Sequence, residues 1–238
     1  MSSWARRRFW SEVHIAPGAE GYQVLLDGRP VNTPARVPLA LPTRALAERV
    51  AAEWRAQEER IDPETMPATR AANAAIDKVR PQPAPVAAMI ASYAEADLIC
   101  YRAQAPDALV AREAAAWDPL LDWAAERFGA RLTVARGVMH VAQPEAALRA
   151  LARPVKRMTA FELAAVHDLV TMSGSLVIAL AAAEHRAPPE QLWRCSRIDE
   201  DWQAELWGED AEAASLARGR ERCFLDAAAF LDDLSDHR

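Results

Sequence analysis

Two carboxylates four residues apart, Asp118 and Asp122, stand between Trp117 and Trp123. On one helix that spacing puts both acids on the same side, where they could serve as an acid/base pair. A competing explanation is local. Asp118 precedes Pro119, which biases it away from helical backbone and suits it to cap a helix that follows. The five histidines, His14, His140, His167, His185 and His237, are scattered, and His167-Asp168 is the one close histidine–carboxylate pair. Neighbours on a helix point about 100° apart and do not face one ligand together. A small hydrolase or lyase using Asp118, Asp122 and His167 is therefore the enzyme alternative, and it requires the three to converge in one cleft. Cys100, beside Leu98, Ile99 and Tyr101, reads as a small core residue. Gly174, in Met172-Ser173-Gly174-Ser175, reads as close helix packing rather than a phosphate loop. G-x-G-x-x-G, the P-loop, G-x-S-x-G and H-E-x-x-H are absent.

The stretch Arg194–Asp210, RCSRIDEDWQAELWGED, has a different character. At helical spacing Ile198, Trp202 and Glu205 form one stripe, and Asp199, Gln203, Leu206 and Trp207 a neighbouring one. Glu200 and Asp201 widen the acidic side. Tryptophans interleaved with carboxylates suit a face that offers both an apolar anchor and charge to a partner. They equally suit two core rings beside solvated acids, and spacing does not choose between the two.

These residues need elements to position them. Phe9–Ile15 reads as a strand with Phe9, Val13 and Ile15 on one face. Tyr22–Leu26 and Val31 flank Asp27-Gly28-Arg29-Pro30, a strong hairpin signal. Val37–Leu41 reads as an edge strand containing Pro38. From Thr43, a candidate N-cap, the period becomes helical, with Leu46, Val50 and Trp54 on one face. A second helix covers Thr69–Val79. Pro81, Pro83 and Pro85 read as a stiff connector. The remainder reads as helices: Val86–Cys100, Asp107–Trp117, Pro119–Phe128 with Gly129 as C-cap, Pro144–Ala152, Thr159–Val170, Ser173–His185, one from Pro189 to Trp207, and a last one capped by Asp210. The expected fold is α+β: a small antiparallel β-containing domain with one or two helices over residues 1–82, then a larger all-α domain over 83–238, the boundary moving to Pro106 if the helix Val86–Cys100 stays with the β unit.

Composition agrees. The 238 residues include 53 alanines and only 8 glycines, which favours helix. Three separated cysteines without C-x-x-C argue against zinc and for a reducing compartment. A net charge of −6 argues against a nucleic-acid partner. Residues 184–238 hold 14 acids and 7 bases, so the surplus is C-terminal. Arg6-Arg7-Arg8 is followed by Phe9-Trp10-Ser11-Glu12 rather than by an apolar run, and the longest uncharged apolar stretch, Leu169–Ala183, is too short to span a membrane. A cytoplasmic chain without membrane insertion is expected. The residues alone therefore stop at an α+β protein better suited to binding than to catalysis.

Several consecutive segments resemble one family, the ATP synthase assembly chaperones that bind the α subunit of the F1 sector. Phe9-Trp10 is similar to its opening, and GYQVLLDGRPVNTPARVPLALPT (Gly21–Thr43) to its most distinctive stretch. LAERVAAEWRAQEERIDPETMPATRAANAAID (Leu46–Asp77) continues the likeness. So do Tyr93, Asp97-Leu98, Cys100-Tyr101-Arg102, Trp117-Asp118-Pro119-Leu120 with Trp123, Gly174-Ser175, Asp199-Glu200 with Gln203, and Trp207-Gly208. Two departures stand out. Glu184-His185-Arg186 occupies an expected glycine turn, and Arg112-Glu113 an expected glutamine. The resemblance implies a chaperone, not an enzyme, that holds unassembled α subunit until it joins β, with no cofactor or metal and with the chaperone monomeric. It implies client-contact or otherwise essential positions at Asp199, Glu200, Gln203, Trp207 and Gly208 and a structural role for Trp54, while Asp27 and Gly28 are structural as the hairpin turn. It also implies a cytoplasmic location of the bacterial type, the mitochondrial relatives working in the matrix.

Overall fold

The computed structural model describes residues 7–235; Arg6 and His237, named above, lie outside them. Asp27 (φ 47°) and Gly28 (φ 77°) both take the positive φ that a two-residue hairpin turn of this twist requires. They join β2 (Gly21–Leu26) to β3 (Arg29–Pro30), with Leu26 opposite Arg29. Asp27 also ties down the chain ahead of the sheet. Its carboxylate accepts the N–H groups of Glu12 (2.8 Å) and Ser11 (3.0 Å), and these bonds hold it below the usual carboxylate range. β1 (Val13–Gly18) pairs antiparallel with β2, Val13 opposite Leu26. β4 (Ala40–Leu41) pairs with Tyr22 and Gln23, so β2 is central.

Two strand expectations change. The first strand begins at Val13, and Phe9 is 67% exposed instead of sharing a buried face with Val13. The edge strand shrinks to Ala40–Leu41, because Arg36 (φ 65°) turns the chain and Pro38 has no N–H to extend the ladder; Pro38 makes only an isolated bridge with Asn32.

α1 (Arg44–Ala56) is capped by Thr43, whose hydroxyl accepts the Leu46 N–H (3.2 Å). Its buried stripe of Leu46, Ala47, Val50 and Ala51 packs on β1, β2 and β4, against the buried Val24, Leu26 and Leu41. α2 (Pro67–Ala74) packs on α1 and runs on as a π-helical turn, Ala75–Val79. Glu53 in α1 caps α2, accepting the Ala68 N–H (2.7 Å), the Thr69 N–H (2.8 Å) and the Thr69 hydroxyl (2.6 Å). These elements form one compact unit together with Thr159–Ala165 and the chain from Ala229. There Phe161 stacks on Phe230, and the Thr43 hydroxyl donates to the Asp233 carbonyl.

The second unit, Ala84–Met158 with Val166–Ala228, is helical apart from one short parallel pair, β5 (Tyr101–Arg102) with β6 (Ala135–Arg136). Pro83 and Pro85 are not a connector. They lie in the first turn of α3 (Pro83–Ser92), where backbone N–H groups have no helical acceptor to lose. 3-10 turns over Tyr93–Ala96 and Leu98–Cys100 replace the rest of the helix expected to Cys100. Asp107–Phe128 is a single helix, α4, that runs through Pro119 and ends at Gly129 (φ 74°). An interior proline costs about 3 kcal/mol. The stripe Leu109, Trp117, Leu120, Ala124, Phe128 is buried on both sides of it, and this packing outweighs the lost bond. Asp118 is consequently mid-helix and caps nothing.

α5 (Glu145–Val155) and α6 (Ala160–Ser173) lead to α7 (Leu176–Ala183), whose first seven residues are all buried, the mark of a central helix. Ser175 and Asp97 serve its N-terminus. The Ser175 hydroxyl accepts the Ile178 N–H (3.0 Å), and the fully buried Asp97 accepts those of Val177 (3.1 Å) and Ile99 (3.3 Å). Burial pushes the Asp97 carboxyl up to about 6 against these bonds. At the end of α7, His185 takes φ 51°, the conformation for which a glycine was expected there. No described helix is long and apolar enough to cross a membrane.

Candidate functional site

The helix expected from Pro189 to Trp207 is broken. α8 (Pro189–Cys195) ends where the Ser196 hydroxyl donates to the Trp193 carbonyl (2.7 Å), and α9 (Ile198–Trp207) starts afresh. A side-chain bond back onto the last turn competes with helix continuation, which is why serine marks such joints. Gly208 (φ 89°) stops α9. Asp210 then caps α10 (Ala211–Leu234) by accepting the Ala213 N–H (2.8 Å). The tight return lays α10 beside α9 and leaves a groove of about 820 Å³ between them.

Alanines from both helices (Ala204, Ala213, Ala214, Ala217) line it, together with the buried Trp193, which packs on Phe224 at 5.7 Å. Six acids line it (Glu200, Asp201, Glu205, Glu209, Asp210, Glu221) against three arginines (Arg194, Arg197, Arg218). Its field is therefore net negative. Trp207 lies at the end of α9 with 85% of its surface exposed, and Leu206 beside it is 58% exposed. A tryptophan that meets solvent this fully contributes nothing to a core.

Of the residues expected to meet a partner, Glu200, Gln203, Trp207 and Gly208 all line this groove. Asp199 does not. Its carboxyl is turned toward that of Glu113 in α4, and one of its oxygens is shielded from water with no hydrogen-bond partner among the described residues. Glu113 has no exposed surface and accepts the Ala103 N–H through both oxygens (2.9 and 3.2 Å). Its carboxyl is pushed up to about 7, first by burial and then by the hydrogen bond and charge of Asp199. Two further bonds tie α4 to the same segment. Trp117 Nε1 donates to the Cys195 carbonyl (2.7 Å), and Arg112 reaches Glu205 (2.8 Å). α9 is thus held by α4 through Asp199 and Glu205, the latter at the edge where α9 turns to line the groove.

Glu113 and Trp117 were not among the expected site residues. A signal existed: Leu109, Glu113 and Trp117 recur at four-residue spacing, which puts a carboxylate on an apolar stripe. Trp54, Asp27 and Gly28 lie in the β-containing unit. Trp54 sits edge-on to Trp10, ring centres 5.1 Å apart.

The acid/base alternative is not assembled. Asp118 and Asp122 line a cavity of about 250 Å³ with Arg131, but Asp118 is ion-paired to Arg102 (2.8 Å), and His167 is not among the lining residues. His167 instead bonds its neighbour Asp168 (3.0 Å). Burial pushes the Cys100 thiol up to about 12 and raises that of Cys195, so neither offers a ready thiolate. Among the described residues no three His, Cys, Asp or Glu side chains cluster to hold a metal.

The sequence profile of the ATP12 chaperone protein family matches residues 7–125. Among solved structures, Atp12 from Paracoccus denitrificans is 47% identical over 96% of this chain and 98% of its own, with a TM-score of 0.93. An aspartate-to-lysine mutant of P. denitrificans Atp12p is 46% identical over 98% of this chain and all of its own, with a TM-score of 0.94. A protein of Agrobacterium tumefaciens is 42% identical over 96% of this chain and 86% of its own, with a TM-score of 0.92. With half its length matched by the profile and nearly all of it by these relatives, the chain belongs to the ATP12 chaperone family.

Proposed function

We propose that the chain is an assembly chaperone for the F1 sector of ATP synthase. It binds the unassembled α subunit and keeps it from aggregating until the β subunit joins. An unassembled subunit exposes apolar surface meant for its neighbour, and such surface drives aggregation. A chaperone must cover that surface and still be displaced. A polar-rimmed groove with a single large anchor suits the task better than a broad apolar interface. The observation that carries this reading is Trp207, 85% exposed at the end of an acidic groove, in a chain of this family. In this reading Glu200, Gln203, Trp207 and Gly208 meet a basic client surface, and Asp199 positions α9 from behind. The chaperone acts as a monomer in the cytoplasm, without turnover or cofactor.

Co-expression with the α subunit tests the proposal. The chain is expected to raise the soluble α yield and to form a complex with isolated α but not with the finished hexamer. Trp207→Ala is expected to weaken that complex by about 30-fold, the scale of an anchor worth about 2 kcal/mol, with an unchanged helical signal. Equal soluble α with and without the chain would reject the proposal. Undiminished binding by the variant would remove the groove from it.

A further inference from the structure

We propose a second binding site in the β-containing unit: a groove for an extended peptide segment that carries apolar and acidic side chains. It has about 630 Å³ and lies between the chain leaving the hairpin (Arg29–Arg36) and the Ile61–Asn73 segment. Its floor is apolar, built on Leu26, Val31 and Met66, each more than nine-tenths buried. Phe9 lines it with 67% of its surface still exposed.

Charge selects the occupant. Every charged side chain lining the groove is an arginine: Arg29, Arg36 and Arg70. The nearby carboxylates keep their charge but are turned to other partners. Asp77 accepts the Thr33 hydroxyl (2.6 Å) and the Ala35 N–H (3.0 Å), and Glu53 caps α2. The nearest countercharge to Arg70 is Glu64 at 3.9 Å, and Glu64 is almost fully exposed, so water and salt screen the pair. An apolar floor under three positive charges is complementary to a segment in which apolar and acidic side chains alternate, as they do on the two faces of an extended strand.

Two polar atoms extend the case. Trp54 and Asn73 both line the groove. Trp54 Nε1 and Asn73 Oδ1 are each shielded from water with no hydrogen-bond partner among the described residues. One is a donor and the other an acceptor, each costly to leave unpaired, and a peptide unit would reach them only if the groove wall shifts. Arg36 adds a third sign. It holds φ 65°, a conformation that glycine adopts freely and a long side chain does not. Its side chain is one of the three arginines that line the groove. This site stands apart from the acidic α9–α10 groove, which has the opposite charge, and does not depend on what that groove binds.

The strain at Arg36 also supplies a clean test, because Arg36→Gly removes the charge while relieving the backbone. The probe is a capped, fluorescently labelled peptide of alternating leucine and aspartate, with leucine–lysine and leucine–serine peptides beside it. Anisotropy is read with the full chain at low salt and at about 0.3 M salt. The leucine–aspartate peptide is expected to bind about tenfold or more tighter than the leucine–serine peptide, to bind less tightly as salt rises, and not to be displaced by the leucine–lysine peptide, whose charge suits the acidic groove instead. Arg36→Gly is expected to weaken it about fivefold or more, with thermal stability unchanged or raised. Glu205→Gln, in the other groove, is expected to leave it unchanged. No binding, displacement of the leucine–aspartate peptide by an equal concentration of the lysine peptide, or an Arg36→Gly variant that binds normally would each overturn the site. So would a short single-stranded oligonucleotide that displaces the peptide at lower concentration, or self-association of the chain that Arg36→Gly abolishes.

Discussion

Replacing Glu113 by glutamine should change how stability depends on pH, not merely how stable the protein is. Glu113 is fully buried between the Ala103 N–H and Asp199, and its carboxyl is raised from 4.5 to about 7. Between those values the folded protein keeps a proton that the unfolded chain releases. Stability is then fully present below about pH 4.5 and is lost as pH rises through about 7. Each pH unit inside that window is worth at most about 1.4 kcal/mol, so the window of about 2.5 units is worth at most about 3 kcal/mol, shared with Asp199. Glutamine preserves the acceptor for Ala103 and can turn N–H toward Asp199, and it does not titrate. Urea unfolding at pH 5, 6, 7 and 8 measures the difference. The wild-type curve should fall relative to the Glu113→Gln curve as pH rises, with the variant at least as stable at pH 8. Asp97, whose carboxyl also titrates near 6, is common to both proteins and cancels in the comparison. Parallel curves, or a variant less stable by the same amount at every pH, would show that the buried pair carries no such proton.

Two other substitutions test the scaffold. Gly21→Ala should cost roughly 3 kcal/mol or more by urea unfolding, because φ is +114° and the new Cβ would meet the Leu41 carbonyl oxygen at 2.2 Å, in the β2–β4 pairing. A loss below about 0.5 kcal/mol would mean that the pairing yields easily. Asp97→Ala should cost about 3 kcal/mol, since it leaves the N–H groups of Val177 and Ile99 without their acceptor inside the α7 core. Hydrogen exchange at the start of α7 should accelerate in that variant, and unchanged protection there would contradict the capping role.

Much of the fold was legible because its signals are local. Asp27-Gly28 can only turn tightly between two apolar runs, Thr43, Gly129 and Asp210 cap helices with their own atoms, and the apolar run after Ser175 forms a helix buried on every side. Two local signals are overridden. Proline signals a boundary at Pro83, Pro85 and Pro119, yet tolerance of a proline depends on whether its N–H is needed and on what packs around it. Spacing places Ser196 inside a helix, yet its hydroxyl turns back on Trp193 and splits the helix in two.

The candidate site divides along the same line. Residue types and spacing were enough to single out Arg194–Asp210, with its interleaved acids and tryptophans, and to establish the family resemblance. They could not say which way each acid faces, because Asp199 and Glu200 are adjacent on one helix and equal in charge. Packing against α4 decided it: Asp199 meets Glu113 in the interior, while Glu200 faces the groove. A helix has two sides, and which one the protein buries depends on a partner helix some eighty residues away in sequence. Local propensity carries no information about that partner, whereas the three-dimensional contact specifies it completely.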